Sequence, residues 1–276
     1  MSPATLTNHN IIVHRGFPTT PSHAWSPFVN KLELRLRLDS VPYSLAVGTP
    51  RAAPRGKIPY ISTDLYPGQL LGDTTLISHR LIACDILTDL NANLTPQQKA
   101  QDLALRALLE DKLYFFQARE RWVDNYYAMR DGVMSQIPYP LRVLVGNFFA
   151  YKSVVSMLWG QGTGRYTDEE AKRLKGEVWE GVDALVEEAR RKSYVSSSAS
   201  EEAKGKKMKK VPFWVLGGEQ PTEADASLYG FVVSCLVCDA APESQEIVRK
   251  YPALVDYARR IHDAYFEDYE LWEETV

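Results

Sequence analysis

Ser26-Pro27 places a hydroxyl where a helix would begin. A hydroxyl there can donate to a sulfur while the helix end stabilises the negative charge. Asp73-Thr74 heads a second apolar stripe, and the free N–H groups at such an end can receive a carboxylate. Cys235-Leu236-Val237-Cys238 has redox spacing, but it falls inside an apolar helical run, which predicts buried, inert thiols. The histidines (His9, His14, His23, His79 and His262) show no metal-ligand spacing with each other or with cysteine, so no zinc site is expected. No phosphate loop, dinucleotide fingerprint or nucleophile elbow appears.

The elements that must position these groups are read from periodicity. Ile11-Ile12-Val13 suits a buried strand, bounded by polar residues, Gly16 and Pro18. The segment 27–39 carries Phe28, Leu32 and Leu36 at helical spacing, with Pro27 suited to a first turn and Ser26 in the cap position. Alternation at Leu32, Leu34 and Leu36 would also permit a strand. Tyr43–Val47, Tyr60–Ser62 and Gln69–Gly72 read as further strands, and the Pro/Arg/Gly-rich loop 50–56 leaves little room for a helix. Leu76, Ile77, Leu81, Ile82, Ile86, Leu87 and Leu90 form a helical stripe over 74–90.

After Asn91 every strong signal is helical. Thr95-Pro96-Gln97-Gln98 combines a cap hydroxyl, a first-turn proline and a capping-box glutamine, and predicts a helix running to about Met129. Thr167-Asp168-Glu169-Glu170 opens a helix toward Tyr194, Thr222-Glu223-Ala224-Asp225 a third, and 252–265 a last one. Residues 196–210 have almost no apolar content and predict a mobile loop. Its basic run, Lys204–Lys210, lacks interleaved aromatics and reads as solvated rather than as a nucleic-acid patch. The expected organisation is two domains, 1–91 and 92–276.

The chain has 276 residues, a formal net charge of −3, 45% hydrophobic and 24% charged residues. That balance gives no global attraction to nucleic acid or acidic membranes. Apolar runs such as Phe231–Val237 are too short to span a bilayer. Three cysteines without a secretory leader point to a reducing compartment, the cytosol.

Taken together, the pieces resemble the glutathione-transferase family, and within it the branch of failed-axon-connections and metaxin-like proteins and their fungal relatives. The motifs that carry this are Ser26-Pro27-Phe28, Lys31-Leu32-Glu33, Val41-Pro42-Tyr43, Pro54-Arg55-Gly56-Lys57-Ile58-Pro59-Tyr60-Ile61 and Asp73-Thr74. Further on they are Gly160-Gln161-Gly162, Phe213-Trp214-Val215-Leu216-Gly217-Gly218 and Pro221-Thr222-Glu223-Ala224-Asp225.

The resemblance implies a thioredoxin-like α/β domain followed by an all-helical domain, with glutathione held by the first. It implies a cis Ile58–Pro59 bond, Ile58 pairing with the tripeptide like an added strand, and Asp73 and Thr74 receiving its γ-glutamyl end. It assigns the glycine carboxylate to Lys57, with Arg15 or Arg55 as alternatives, and the thiol to Ser26, as catalyst or only as cap. Many relatives are expected to carry cysteine where Val29 stands, which argues against disulfide exchange and against a reductase or peroxidase. The second-substrate cleft is expected to be lined by Trp25, Phe28, Trp122, Tyr126 and Tyr127, in a homodimer. The implied activity is glutathione conjugation, or cis/trans isomerisation, of a hydrophobic conjugated electrophile, with secondary metabolism as a setting. The alternative is a non-catalytic module that binds protein.

Overall fold

Four short strands build one sheet in the computed structural model, which describes residues 9–16, 21–201 and 211–272. They are β1 (Ile11–His14), β2 (Ser44–Ala46), β3 (Tyr60–Thr63) and β4 (Leu70–Gly72), in the order β2-β1-β3-β4. β1 and β2 are parallel, with Ile12 opposite Ser44; β3 is antiparallel to both neighbours, with Tyr60 opposite His14 on one side and Gly72 on the other. The parallel pair needs a crossover, supplied by α1 (Pro27–Leu38). The chain between β2 and β3 is loop and turn, and α2 (Thr74–Ala83) follows β4.

The helix reading of 27–39 holds, and the structure explains why alternation was also visible. Leu32 and Leu36 pack on the sheet with Ile11, Val13, Ile61, Ile77 and Leu81, whereas Leu34 belongs to the core of the helical domain. The helix is therefore covered on two sides. Three of its four charged residues are buried, and each has a partner: Glu33 meets Arg15 at 3.0 Å, Lys31 meets Glu110 at 2.6 Å, and Arg35 meets Asp39 at 2.6 Å and Glu223 at 2.7 Å. Lys31–Glu110 and Arg35–Glu223 tie the first domain to the second. Leaving either partner alone in the interior would be costly, so these pairs fix how the domains meet.

α2 is shorter than its apolar stripe, ending at Ala83 before Asp85 takes a left-handed φ of 57°. The helical domain begins with α3 (Pro96–Ala107), and its Thr95/Gln98 capping box is closed. The chain then passes through a π-type turn (Leu108–Leu113), α4 (Tyr114–Arg119) and a second π-type turn (Glu120–Asp124). It breaks at Asn125 and resumes as α5 (Tyr126–Val133), so the expected single helix to about Met129 is an interrupted one. Asn125 both donates its N–H to the Glu120 carbonyl (2.8 Å) and reaches it with its side chain (3.1 Å).

α6 (Tyr139–Val145), a π-type turn and α7 (Lys152–Gln161) form a helical run of 23 residues with mean hydropathy 1.2 over its most apolar window, of which 12% is buried. Among the described residues it is the one helix long and apolar enough, by length and composition, to cross a membrane; Arg142, Asn147, Lys152 and Ser153 interrupt its apolar pattern in the sequence. Leu141, Leu144, Phe148 and Trp159 are exposed on it.

α8 (Asp168–Glu201) continues through residues 196–201, correcting the first part of the expected loop; residues 202–210 lie outside the described residues. α9 (Glu223–Leu236) is buried over nearly its whole length, with α10 (Pro242–Arg249) and α11 (Pro252–Tyr265) beside it. It crosses α1 closely: a Cβ on Gly230 would lie 2.3 Å from the Pro27 carbonyl oxygen. The fold is a thioredoxin-like domain with a small mixed sheet, followed by a helical domain.

Candidate functional site

Three of the groups named from sequence converge at one end of the sheet, and register shows it. β3 runs antiparallel to β4 with Tyr60 opposite Gly72, so Pro59 and Asp73, the next residues outward, stand side by side. His14 opposite Tyr60 puts the C-terminal end of β1 at the same edge. A crossover helix runs back against its strand, so α1 starts, at Ser26, at that edge too. Crevices at the carboxyl ends of parallel strands are where α/β folds bind ligands.

The Ile58–Pro59 bond is cis. Pro59 is buried and Ile58 half-buried, with the Ile58 Cδ1 only 3.0 Å from where a Cβ on Gly16 would sit. Glycine is favoured there by its φ of 84°. Asp73 caps α2, accepting the Leu76 N–H at 3.1 Å, from a φ of 77° that is costly for a residue with a side chain. Thr74 is buried and Asp73 exposed. Lys57, with Arg51 and Arg55, forms an exposed basic rim, and the Arg55 stem lies 3.7 Å from a Cβ position on Gly72.

Ser26 occupies the cap position of α1 with extended backbone, yet its side chain makes no cap hydrogen bond. Its carbonyl accepts from the Val29 and Asn30 N–H groups at 3.2 and 3.4 Å. Ser26 is half-exposed, and its hydroxyl is not used by the helix it heads. Val29 is fully buried, so no thiol stands in that first turn.

Arg15 is not available to a ligand carboxylate. It is 2% exposed, paired with Glu33 at 3.0 Å, and it donates to Tyr269 Oη and the Ser22 carbonyl. Burial pushes the Glu33 carboxyl above its ordinary range, opposed by Arg15 and by the Tyr269 hydroxyl at 2.8 Å. Cys235 and Cys238 are buried, and burial raises both thiols, Cys235 to about 12. They have little thiolate character near neutral pH.

The five aromatic residues expected around a cleft fall into three groups. Phe28 turns its ring to Tyr114 (5.2 Å between centroids) and Phe231 (5.9 Å), in the junction between domains. Trp25 and Trp122 both pack, with Val133, against a buried cluster of Met129, Cys238, Ala240 and Ala241. The Trp25 ring lies so close to α5 that a Cβ on Gly132 would meet it at 2.2 Å. Tyr126 instead contacts Tyr127 and Tyr151 and bonds to Asn147, and Tyr127 is 72% exposed. A groove of about 550 Å³ opens beside the loop that leads to Ser26, lined by His23, Leu236, Val237, Pro242 and Trp272 among others, and takes none of the five.

Sequence reasoning missed the residues that hold the Ser26 segment. Asn30 donates its Nδ2 to the Ala24 carbonyl (2.8 Å) and accepts the Ala24 N–H (2.9 Å). Arg121 donates to the Trp25 carbonyl at 2.7 Å. For Asn30 there was a faint signal, a poor helix former one turn after the cap; for Arg121 there was none.

A family profile described as the glutathione S-transferase N-terminal domain matches residues 27–129, and the profile for the C-terminal domain matches residues 213–261. A glutathione S-transferase from Methylobacterium radiotolerans, solved with glutathione sulfonate, is 15% identical over 98% of both chains, with a TM-score of 0.52. A maleylacetoacetate isomerase from Anaeromyxobacter dehalogenans, solved with dicarboxyethyl glutathione and citrate, is 12% identical over 95% of this chain and 93% of that one, at 0.47. An Omega-class transferase from Trametes versicolor, in complex with 2,4-dihydroxybenzophenone, is 15% identical over 94% and 91%, at 0.45. With both domain profiles matched on a fold of the same architecture, the chain belongs to the glutathione S-transferase family.

Proposed function

We propose that this protein is a glutathione-dependent transferase or cis/trans isomerase acting on a hydrophobic conjugated electrophile. The observation that carries the reading is the convergence, at one sheet end, of the Ser26 hydroxyl, the edge backbone at Ile58-Pro59 and the first turn of α2. Each suits one part of a small anionic tripeptide. Ile58 offers backbone to pair with an extended peptide. The N–H groups of α2 receive a carboxylate, exposed Asp73 meets the ammonium, and Lys57 or Arg55 faces the glycine carboxylate. Glutathione held this way supplies a thiolate that adds to a conjugated double bond, giving a conjugate if retained and an isomerised product if released after bond rotation.

Ser26 holds that sulfur as an anion, because its hydroxyl is not spent on the helix and the dipole of α1 favours negative charge there. Trp25 and Trp122 form the apolar wall beside it. The same reading places the protein in the cytosol as a homodimer, on the failed-axon-connections and metaxin-like branch, with a tailoring step in secondary metabolism as its setting.

Titration calorimetry with reduced glutathione should show millimolar or tighter binding. Ser26→Ala should cut turnover of a generic electrophile by about a hundredfold while leaving glutathione affinity within a few-fold. Unchanged turnover removes Ser26 from the mechanism. A protein-binding module is the second reading, favoured by the exposed apolar side chains on the run 139–161; failure of both glutathione binding and turnover would select it.

A further inference from the structure

The hydroxyl of Ser26 is unspent, yet the backbone that carries it is held from two sides. Asn30 is fully buried and closes a two-bond ring on Ala24, at 2.9 and 2.8 Å. Arg121 is 4% exposed and donates one guanidinium nitrogen to the Trp25 carbonyl at 2.7 Å. Its other terminal nitrogen donates to the carbonyl and hydroxyl of Ser234 in α9, at 3.2 and 3.3 Å. Its Nε has no hydrogen-bond partner. The Trp25 ring is stopped against Gly132 of α5. Three consecutive residues, Ala24, Trp25 and Ser26, are thus tied to α1, to the π-type turn before Asn125, to α9 and to α5, while the one side chain aimed beyond the helix end stays free.

A buried arginine is expensive to desolvate, and satisfying two backbone carbonyls does not by itself call for one. We infer that Arg121, with Asn30, is a positioning device for Ser26. It sets the Trp25–Ser26 peptide so that the hydroxyl meets the glutathione sulfur at hydrogen-bonding range, and so sets the acidity of the bound thiol. The inference rests on the reading of Ser26 under Proposed function and deepens it. Precise placement of a donor matters because a misplacement of about 1 Å can cost about a hundredfold in rate.

The test follows the ultraviolet absorbance of bound glutathione thiolate against pH, together with kcat and KM, in the full chain and in Arg121→Met, Arg121→Lys and Ser234→Ala. In Arg121→Met the thiolate midpoint should rise by about one pH unit, as loss of a hydrogen bond to the charged form requires. Its kcat should fall about tenfold at neutral pH, with KM for glutathione within about threefold. Arg121→Lys should recover at least half of the shift, because an ammonium can still reach the Trp25 carbonyl. Ser234→Ala, which removes only one tether and spares the fold, should move the midpoint in the same direction by less. A midpoint unchanged in every variant that folds overturns the inference, even if thermal stability drops, since a purely structural tie would lower stability alone. If the unmutated chain binds no glutathione, the functional reading itself has failed, and that result is recognised before any variant is made.

Discussion

α1 and α9 both begin beside a proline or threonine signal, cross each other at Gly230, and treat their first turns in opposite ways. At the first turn of α9 the capping groups Thr222 and Asp225 are spent. The Asp225 carboxylate is fully buried and accepts the Val215 N–H at 2.7 Å, the Thr222 N–H at 2.8 Å, the Thr222 hydroxyl at 2.9 Å and the Tyr257 hydroxyl at 3.0 Å. At α1 the cap hydroxyl is spent on nothing in the helix, and orientation comes from side chains elsewhere in the fold. The first end is built for stability and the second for a ligand. Cap bonds or capping boxes also close α2 and α3, and the Thr167 hydroxyl accepts from the Glu170 N–H at 3.2 Å at the head of α8. Among the described helices opening on serine, threonine or aspartate, only α1 leaves its side chain idle.

The largest effect should come from breaking the closed end. Asp225→Ala orphans three buried donors at once, the Val215 and Thr222 N–H groups and the Thr222 hydroxyl, while Tyr257 keeps the Asp225 carbonyl at 3.2 Å, and each unsatisfied buried group costs about 1–3 kcal/mol. A loss of about 4 kcal/mol or more is expected, read as the shift in urea midpoint at constant slope. A loss under about 1 kcal/mol would show that the network at α9 is not what anchors the helical domain.

Next in size is the place where the two ends touch. Gly230→Val puts a branched side chain where a single Cβ already falls 2.3 Å from the Pro27 carbonyl oxygen and 3.0 Å from the Lys31 nitrogen. α1 and α9 must part, at a cost of about 3 kcal/mol. The displaced element is the first turn of α1, so turnover at temperatures where the variant is folded should fall more than that of Leu87→Ala, a core change far from Ser26. Equal losses would mean that the crossing does not govern the open end.

How much of this was legible in the sequence depends on how local the signal is. Strand and helix positions were visible in periodicity, and the caps at Thr95, Thr167 and Thr222 in three- or four-residue patterns. Phe28, Leu32, Leu34 and Leu36 looked ambiguous because α1 serves two cores, and only the packing of both reveals that. Nothing local marks Lys31, Glu33 and Arg35 as buried, because their partners Glu110, Arg15 and Glu223 are remote in sequence. The same distance hid Arg121 and misdirected Arg15. The five cleft aromatics were expected together, but after the break at Asn125 Tyr126 meets Asn147 and Tyr151 of the π-type turn between α6 and α7, and Tyr127 is exposed, apart from Trp25 and Trp122.

The loop that feeds the open end carries its own weakness in acid. His23 is 7% exposed, 3.0 Å from His262 Nδ1, and faces Arg15, Arg37, Asp268 and the Tyr269 and Trp272 rings. Burial, then the neighbouring His262 and arginines, pull its pKa from 6.5 down to about 3. Between those values the unfolded chain binds the proton and the native one does not, so stability falls as pH drops below 6.5. Integrated from pH 7 to 5, this one group contributes a loss of about 2 kcal/mol. Asp225 works in the other direction, since burial raises it to about 6, and its protonation favours the native state as pH falls. His23→Gln should therefore lose about 2 kcal/mol less than the unmutated chain over the same interval, measured by chemical unfolding at both pH values. Equal losses would place the acid sensitivity outside this loop.

The smallest effect is the sharpest. Replacing a working cap such as Thr95 by alanine costs about 1 kcal/mol, because the Gln98 N–H loses its acceptor at 3.3 Å and the capping box opens. Ser26→Ala removes a hydroxyl that accepts nothing from its own helix, while the backbone clamp through Asn30 and Arg121 stays in place. Its stability cost should stay within about 0.5 kcal/mol, the range of substitutions that break no structural contact. Run side by side, the two variants separate a cap from a ligand group without any substrate in the tube. If Ser26→Ala costs as much as Thr95→Ala, Ser26 is closing the helix in solution, and the open end of α1 is not open.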